Sequence, residues 1–305
     1  MEALRRIGFI GIGNMGSSMA AHIVKAGFDL TLYDINPEVC AKFVEQHGGT
    51  VAASLAELGR KAEAVITMLP NDKIVHAVIV GDNGVASTLA QGSVVIDMST
   101  SDPLATQALV AALRPRGIAV VDAPVMGGVV FARDATLDIM AAGDAAAVAR
   151  ATPLLKCMGR SLIHCGAAGN AHALKALGNY INACALINVV EAMTIGKRFG
   201  LDATFMADAL LPMVNGRQHP LEKKVIPQVL TRKFSTGMAL GFITKDLKIA
   251  VDTAKSIGAY APLAECTHAL WAQAVQQFGA QPDQTEVAKL WEQATGVTLR
   301  ANEIP

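Results

Sequence analysis

Short runs of consecutive apolar residues alternate with longer amphipathic segments through the first half of the chain. The short runs have the composition of strands buried on both faces of a sheet, and the segments between them have helical spacing. This alternation predicts an α/β fold with a doubly wound, mostly parallel sheet. The predicted strands are Ile7–Ile10, Phe28–Asp34, Ala64–Leu69, Ser93–Asp97, Ile118–Asp122 and Leu137–Ala141, and the predicted helices cover 17–26, 37–47, 73–80, 103–115 and 144–156.

A change of pattern after about residue 165 indicates a second, helical domain. From Asn170 to Phe199 there is no proline, and only two glycines interrupt a segment rich in alanine, leucine and isoleucine. A helix of about 30 residues is roughly 45 Å long, which is too long for one small domain to cover. We expect it to join an N-terminal domain, residues 1–163, to an all-α domain, residues 164–305, with the functional site between them. Further helices are predicted over 201–214, 219–230, 240–257, 262–278 and 284–294.

A glycine-rich turn joins the first predicted strand to the helix that follows it. Gly11, Gly13 and Gly16 are spaced as G-x-G-x-x-G, which allows a tight turn, a close approach of the backbone to a pyrophosphate, and close packing of helix on strand. The helix N-terminus directs N–H groups and a partial positive charge toward an anion, and Asn14 and Met15 are assigned to the same site. The pattern predicts a dinucleotide-binding Rossmann domain.

An acidic residue ends the second predicted strand, 18 residues after the last glycine of the turn. The carboxylate of Asp34 can accept hydrogen bonds from the ribose hydroxyls there, and it would repel the 2′-phosphate of NADP. No arginine occupies the next three positions, Ile35, Asn36 and Pro37. We therefore predict NAD as the cofactor. The alternative is a structural loop with an ordinary acid at the strand end.

Composition narrows the classes of partner and compartment. Lys+Arg and Asp+Glu both number 26, so neither a nucleic-acid surface nor an acidic tail is indicated. No run of about 18 apolar residues is present, so no membrane span is expected. The first strand begins too early for a signal peptide, and the five cysteines show no close pair, so we expect a cytoplasmic protein. The seven histidines show no metal-ligand spacing, and no metal is predicted.

Three polar side chains share one face of the long predicted helix. Lys175, Asn179 and Asn182 stand at i, i+4 and i+7 in an otherwise apolar segment. A lysine on a buried face is costly unless it is paired or functional. Beside a nicotinamide ring the pKa of its ammonium would fall, so that it could exchange a proton with an alcohol or carbonyl oxygen. The alternative is a lysine that extends to solvent at a helix end.

Two further positions near this chemistry are ambiguous. Lys245 and Asp246 interrupt an apolar helical pattern, as groups facing a cleft would, although a surface ion pair gives the same pattern. His172 lies one turn before Lys175 and could reach a cleft, but a capping or core role is the favoured interpretation.

These motifs together resemble the β-hydroxyacid dehydrogenases, a family that includes 3-hydroxyisobutyrate dehydrogenase and tartronate semialdehyde reductase. The resemblance extends over nearly the whole chain. It is carried by Phe9–Ala20, Thr67-Met-Leu-Pro70, Asp97-Met-Ser-Thr100, Asp122-Ala-Pro-Val125, Gly127-Gly128, Thr136-Leu137, Gly166-x-x-Gly169, Lys175-x-x-x-Asn179 and Lys245-Asp246-Leu247.

The resemblance implies roles for particular residues. It makes Lys175 the catalytic acid/base and Asn179 the residue that orients it and the substrate, and it places Thr100 and Lys245 by the nicotinamide. The reaction implied is reversible hydride transfer between NAD and a small β-hydroxyacid, in a homodimer or homotetramer. The remaining assignments by resemblance are Leu69, Pro70 and Asn71 for the cofactor and Ser99, Met126, Gly127, Gly128 and Phe131 for the substrate.

Departures from the family pattern affect the substrate more than the reaction. The family pattern is D-A-P-V-S-G-G-x-x-G-A-x-x-G-T-L, and its serine receives the substrate carboxylate. This chain has Met126 in place of that serine, and Phe131 and Ala135 in place of two glycines. Methionine cannot donate a hydrogen bond and adds apolar surface. We expect a less polar or bulkier substrate, unless the carboxylate moves to the N–H groups of Gly127 and Gly128 or the substrate is unchanged. Two other departures, Ala171 for a glycine and Gly178 for an asparagine, leave the lysine and Asn179 in place.

Two other functions remain open on the sequence. An imine reductase-like NAD(P)H enzyme has a related fold and a more apolar site, which Met126 and Phe131 favour and Lys175 and Asp34 disfavour. A non-enzymatic nucleotide-binding module would bind NAD without turnover.

Overall fold

Nine strands form one sheet in the first part of the chain. The computed structural model describes residues 4–198, 201–211, 220–256 and 262–301. All six predicted strands are confirmed, and each end lies within about two residues of its predicted position. The strands are β1 Arg6–Ile10, β2 Asp29–Tyr33, β3 Thr50–Val51, β4 Ala64–Thr67, β5 Val94–Asp97, β6 Ala119–Asp122, β7 Val125–Met126, β8 Leu137–Gly143 and β9 Gly159–His164.

The strand order places the ends of several strands side by side. The order is β3-β2-β1-β4-β5-β6-β8-β7, with β9 paired to β8. The strands from β3 to β6 are parallel, β8 runs antiparallel to β6 and β7, and β9 is parallel to β8. The mostly parallel prediction is therefore confirmed. The carboxyl ends of β1, β2, β4, β5 and β6 meet at one edge of the sheet, where open α/β sheets bind their ligands.

Helices cover both faces of this sheet, as the apolar strand pattern predicts. Phe9, Ile66 and Ile96 belong to one core cluster, whereas Val65 and Val95 belong to another, so alternate residues of a strand enter opposite layers. The helices are α1 Asn14–Lys25, α2 Pro37–His47, α3 Leu55–Lys61, α4 Asp72–Val80, α5 Pro103–Leu113, α6 Val129–Arg133 and α7 Ala145–Lys156, with short 3-10 helices at Val85–Ser87 and Arg114–Arg116.

The chain divides into two compact units, residues 1–175 and 176–305. The division falls inside the long helix α8, Asn170–Arg198, after its first turn and a half, whereas the sequence placed the boundary before the helix. The single helix of about 30 residues is confirmed up to Arg198, and its predicted end at Phe199 lies outside the described residues.

The second unit is helical. Its core combines Leu186 and Val190 of α8 with the fully buried Trp271. The other elements are α9 Ala203–Leu210, a π-helix Leu221–Val229, α10 Leu240–Ser256, α11 Pro262–Phe278, a 3-10 helix Gln284–Val287 and α12 Ala288–Thr295. The helices predicted over 219–230 and 284–294 therefore need correction, because the first is π-helical and the second begins as a 3-10 helix. The predicted ends at residues 214, 219 and 257 lie outside the described residues.

Several short elements were not predicted. They are β3, β7, β9, α3 and α6. A strand of two residues is too short to show a period of two, and β9 is only partly buried, so its sequence lacks a continuous apolar run. Within the described part of the chain, no helix has the length and apolar character needed to cross a membrane.

Candidate active site

The glycine-rich turn lies directly after β1 at the carboxyl edge of the sheet. Gly11 has φ +99, and a Cβ there would collide with the carbonyl oxygen of Met68. A Cβ at Gly16 would collide with the carbonyl oxygen of Gly11, so helix α1 packs directly on the turn. At Gly13, in contrast, an added Cβ would meet no atom within 4 Å. The turn is therefore closed toward the protein and open on the side where a pyrophosphate would approach.

Helix α1 begins at Asn14, three residues earlier than predicted, so Asn14 and Met15 form its first turn. Gly13 is the N-cap and has no side chain to accept from the first N–H groups. These donors are suited to an anion, as the sequence predicts.

The carboxylate of Asp34 is held against the same turn. It follows β2, and its Oδ2 accepts a hydrogen bond from the Ile12 backbone N–H at 2.7 Å, while its Oδ1 accepts from the Asn36 N–H at 2.9 Å. Burial raises the pKa of the neighbouring Cys40 thiol to about 11, and the charge of Asp34 adds to this rise. Asp34 is thus fixed as an acceptor at the end of the strand, where a ribose is expected.

A buried carboxylate shapes the turn that follows β5. Asp97 is 2% exposed, and its oxygens accept hydrogen bonds from Thr67 Oγ1 (2.8 Å), from the Ser99 backbone N–H (3.0 Å) and from Ser101 Oγ (2.6 Å). Thr100 is half-buried, whereas the residues on both sides of it are buried. The turn therefore buries Ser99 and Ser101 and leaves Thr100 partly exposed to solvent.

The loop after β4 is tied to this turn. The Ser99 hydroxyl accepts a hydrogen bond from the Leu69 backbone N–H at 2.9 Å. Asn71 is the N-cap of α4, and its side chain accepts from the Ile74 N–H at 3.0 Å. Pro70 lies between them on the same loop. The structure thus gives the side chains of Ser99 and Asn71 structural hydrogen bonds, and their predicted contacts with substrate and cofactor stay predictions.

A second buried carboxylate holds the start of α8. Asp122 ends β6 and is fully buried. Its Oδ1 accepts a hydrogen bond from the Gly169 N–H at 2.9 Å, and its Oδ2 accepts from the N–H groups of Ala171 (3.0 Å) and His172 (3.2 Å). Negative charge at a helix N-terminus is stabilising, so Asp122 fixes the beginning of the helix that carries Lys175.

Lys175 is buried, with 9% of its surface exposed. Its Nζ lies 3.7 Å from the Sδ of Met126, a weak acceptor at the end of β7. The alternative of a lysine extending into solvent is therefore wrong. The structure brings together two residues that the sequence assigned separately to catalysis and to substrate binding.

The loop after Met126 is compact. Gly127 has φ +131 and Gly128 has φ +79, and Gly128 is the N-cap of α6. A Cβ at Gly127 would meet the Cβ and Cγ of Phe131 at 2.7 and 2.8 Å, so this aromatic side chain packs directly on the glycine. Phe131 also packs against the first core cluster. Its substrate contact stays a prediction.

In the second unit, Asn179, Asp246 and Lys245 form one cluster. The Asn179 Nδ2 donates a hydrogen bond to Asp246 Oδ2, and Lys245 Nζ lies 3.2 Å from Asp246 Oδ1. Asp246 is 4% exposed, so the alternative of a surface ion pair is wrong. The carboxylate fixes the orientation of the Asn179 amide and holds the Lys245 ammonium beside it.

Among the described residues, no group of three or more His, Cys, Asp or Glu side chains is placed to hold a metal ion, and the absence of a metal stays a prediction. The buried carboxylates Asp97 and Asp122 were missed as site residues. Each ends a predicted strand at the ligand-binding edge, and this position was the available signal.

Two family models match most of the chain. One, described as the NAD binding domain of 6-phosphogluconate dehydrogenase, matches residues 6–166, and one described as NAD-binding of NADP-dependent 3-hydroxyisobutyrate dehydrogenase matches residues 169–291. The mitochondrial 3-hydroxyisobutyrate dehydrogenase of Mus musculus is 38% identical over 262 residues, which cover 84% of this chain and 78% of that protein. The chain belongs to the β-hydroxyacid dehydrogenase family.

Other members of the β-hydroxyacid dehydrogenase family match over almost their full length. The NAD-dependent L-serine dehydrogenase of Pseudomonas aeruginosa is 32% identical over 298 residues, or 96% of this chain and 100% of that protein. The structure of Mycobacterium tuberculosis 3-hydroxyisobutyrate dehydrogenase with L-serine has a TM-score of 0.81 at 30% identity, covering 95% of this chain and 99% of that chain.

As a β-hydroxyacid dehydrogenase, the protein is an enzyme that uses NAD. The glycine turn, open at Gly13, and the carboxylate of Asp34 fit this cofactor. Because the relatives are dehydrogenases, the alternative of a non-enzymatic nucleotide-binding module is wrong. An imine reductase from Myxococcus stipitatus has a TM-score of 0.62 at 17% identity, which shows a shared fold alone.

Proposed function

We propose that the protein oxidises a small β-hydroxyacid reversibly, with Lys175 as the acid/base. The buried amine of Lys175, next to Met126 and on a helix start held by Asp122, is the observation that carries the proposal. NAD, when bound, accepts the hydride that leaves the hydroxyl-bearing carbon. Gly11, Gly13, Gly16 and Asp34 would hold it.

The lysine performs the proton transfer. In oxidation the neutral amine of Lys175 takes the hydroxyl proton, and in reduction its ammonium returns a proton to the carbonyl oxygen. Burial restricts the positions that the lysine side chain can take, which favours proton transfer at a fixed distance from the substrate oxygen. Asn179, one helical turn later on α8 and held by Asp246, would orient the substrate oxygen.

The substrate class follows from the surroundings of the amine. The relatives include enzymes named for 3-hydroxyisobutyrate and for L-serine, both small β-hydroxyacids. In this chain the thioether of Met126 lies beside the Lys175 amine, and Phe131 packs on Gly127. Neither side chain donates a hydrogen bond. These contacts support a hydroxyacid with a larger apolar substituent, whose carboxylate is bound by the backbone N–H groups of Gly127 and Gly128.

Turnover of NAD by wild-type protein and by Lys175→Ala tests the proposal. The panel contains 3-hydroxyisobutyrate, L-serine and 3-hydroxyacids with longer 2-alkyl groups, each with NAD. Cyclic imines, the competing substrate class, are assayed with NADH, because an imine is reduced and accepts the hydride. We expect Lys175→Ala to lower kcat by about 10²–10⁴-fold, because the proton loses its acceptor. The Kd for NAD, measured by calorimetry, should stay within about twofold, because the glycine turn is unchanged.

Lys156→Ala, which removes an exposed lysine at the end of α7, is the matched control and should leave kcat unchanged. Partial rescue of Lys175→Ala by added methylamine would support the acid/base role. A kcat for Lys175→Ala close to that of wild type would contradict that role. Turnover of cyclic imines with no turnover of any hydroxyacid would contradict the reaction.

We also infer a homodimer or homotetramer. Large apolar side chains are exposed on elements of the second unit. They are Leu177 (50%), Ile181 (64%), Phe205 (62%), Phe242 (49%) and Leu263 (53%). A subunit interface on this unit would cover these apolar side chains.

A further inference from the structure

His172 is fully buried on α8, three residues before Lys175. Both ring nitrogens have a partner within hydrogen-bond distance. Nε2 lies 3.1 Å from the backbone carbonyl oxygen of Ser99, and Nδ1 lies 2.7 Å from the hydroxyl oxygen of Thr106 on α5. The ring therefore connects α8 to two elements that are distant along the chain.

The Ser99 partner determines the role of one ring nitrogen. A carbonyl oxygen can only accept, so Nε2 carries a proton and donates it to Ser99, whereas the Thr106 hydroxyl beside Nδ1 can either donate or accept. Hydrogen bonds in a buried site are directional and poorly replaced by water, so the ring has one favourable orientation. An apolar side chain at this position would remove both of these hydrogen bonds.

The Ser99 end of this connection belongs to the turn that presents Thr100. Asp97 shapes that turn through its hydrogen bonds to the Ser99 N–H and the Ser101 hydroxyl, and its Oδ2 lies 3.7 Å from His172 Nε2. The imidazole thus lies between the carboxylate at the end of β5 and the first turn of α8.

Asp122 and His172 restrain the helix in different ways. Asp122 accepts hydrogen bonds from backbone N–H groups at the helix end, close to the axis, and these bonds fix where α8 begins. The bonds of His172 leave from a side chain, off the axis, and they oppose rotation of the helix about that axis. A rotation would displace the long side chain of Lys175, and a displacement of about 1 Å costs up to about 10²-fold in rate.

We propose that His172 is a positioning residue, which sets the rotation of α8 and thereby the place of the Lys175 amine relative to the turn of Thr100. This role rests on the proposed function of Lys175. It assigns to a buried histidine a function in catalysis without contact to the substrate.

Three variants and one control test the role. His172→Leu removes both hydrogen bonds at similar volume, His172→Gln keeps a donor that can reach Ser99, and Thr106→Val removes the partner of Nδ1. Leu109→Ala is the matched control, since Leu109 is buried one turn from Thr106 on α5. Its loss destabilises the same region without removing a hydrogen bond to His172.

The measurements are Tm, kcat and KM on the better of L-serine and 3-hydroxyisobutyrate, and the isotope effect with deuterium at the hydroxyl-bearing carbon. We expect His172→Leu to lower kcat by about 10–100-fold and Thr106→Val by about 3–10-fold, with KM for NAD unchanged. The isotope effect on kcat should rise, because the chemical step becomes slower. His172→Gln should recover most of the lost kcat, and Leu109→Ala should lower Tm with kcat near that of wild type.

A kcat that falls equally in His172→Leu and Leu109→Ala at equal loss of Tm would overturn the positioning role. So would an unchanged isotope effect. Failure of the proposed function is distinct, because the wild-type protein itself would then turn over neither hydroxyacid. In that event, hydrogen exchange of the α8 amides still tests whether His172 anchors the start of the helix. Faster exchange over residues 170–176 in His172→Leu than in Leu109→Ala supports it, and equal exchange overturns it.

Discussion

At the scale of single residues, the polar groups at the carboxyl edge of the sheet are organised by buried carboxylates. Asp97 holds the turn of Thr100, and Asp122 holds the start of α8 through three backbone N–H groups. Each carboxylate is compensated by donors, as a buried charge requires. The residues predicted to bind ligands are therefore positioned by acids that are themselves inaccessible to ligand.

Met126 is the residue from which we expect the largest effect on substrate choice. Met126→Ser introduces a hydroxyl donor beside Lys175, and a hydrogen bond to a charged group contributes about 1.5–3 kcal/mol. We expect kcat/KM for L-serine to rise by roughly tenfold or more, and that for hydroxyacids with long 2-alkyl groups to fall. Steady-state rates of NADH formation across the panel measure both changes.

Met126→Leu is the matched control, because it keeps the apolar volume without a donor. It should retain the substrate order of the wild-type protein. If the wild-type protein prefers 3-hydroxyisobutyrate and Met126→Ser leaves that order unchanged, then Met126 does not determine the substrate.

At the scale of elements, one residue in the turn between α6 and β8 has an unfavourable backbone conformation. Ala135 has φ +53, the left-handed region, where the family pattern has glycine. That conformation costs an L-residue about 1–2 kcal/mol, whereas glycine loses about 0.5–1 kcal/mol more backbone entropy on folding. We expect Ala135→Gly to raise the free energy of unfolding by about 0.5–1 kcal/mol, measured by urea denaturation.

The same Ala→Gly substitution inside a helix should have the opposite effect on the free energy of unfolding. Ala149→Gly, at an exposed position inside α7, should lower the free energy of unfolding by about 1 kcal/mol. Loss of stability in both variants would show that Ala135 is not strained.

The long, regular elements could be predicted because a buried strand or an amphipathic helix repeats its pattern over several residues. All six predicted strands and the helix that begins at Asn170 are of this kind. The short β3 and β7 have no repeat to detect. The helix predicted over 219–230 has the expected position but π-helical bonding, with Pro227 inside it. Proline lacks an N–H, and its effect on the bonding register depends on the surrounding packing.

At the scale of the whole molecule, exposed apolar side chains in the second unit support self-association. We expect the protein to elute as a dimer or tetramer in size-exclusion chromatography with light scattering. Ile181→Glu places a charge at an apolar side chain of α8 that is 64% exposed and should shift the population to smaller species. Glu38→Gln, an exposed change on α2 of the first unit, is the control and should leave the mass unchanged.

A monomer at all concentrations tested for the wild-type protein would contradict the self-association proposal.

The cytoplasmic location also stays a prediction, since it follows from composition and not from the fold.

The amino-acid sequence by itself determined the α/β class, the NAD-binding turn, the long helix and the candidate lysine, because each is a local pattern of side chains a few residues apart. Only the tertiary structure decided which side chains meet. It placed Met126 beside Lys175, Asp246 beside Asn179, and His172 between Ser99 and Thr106. These pairs are 49 to 73 residues apart in the chain, and strand order and helix packing, which no local pattern encodes, bring them together.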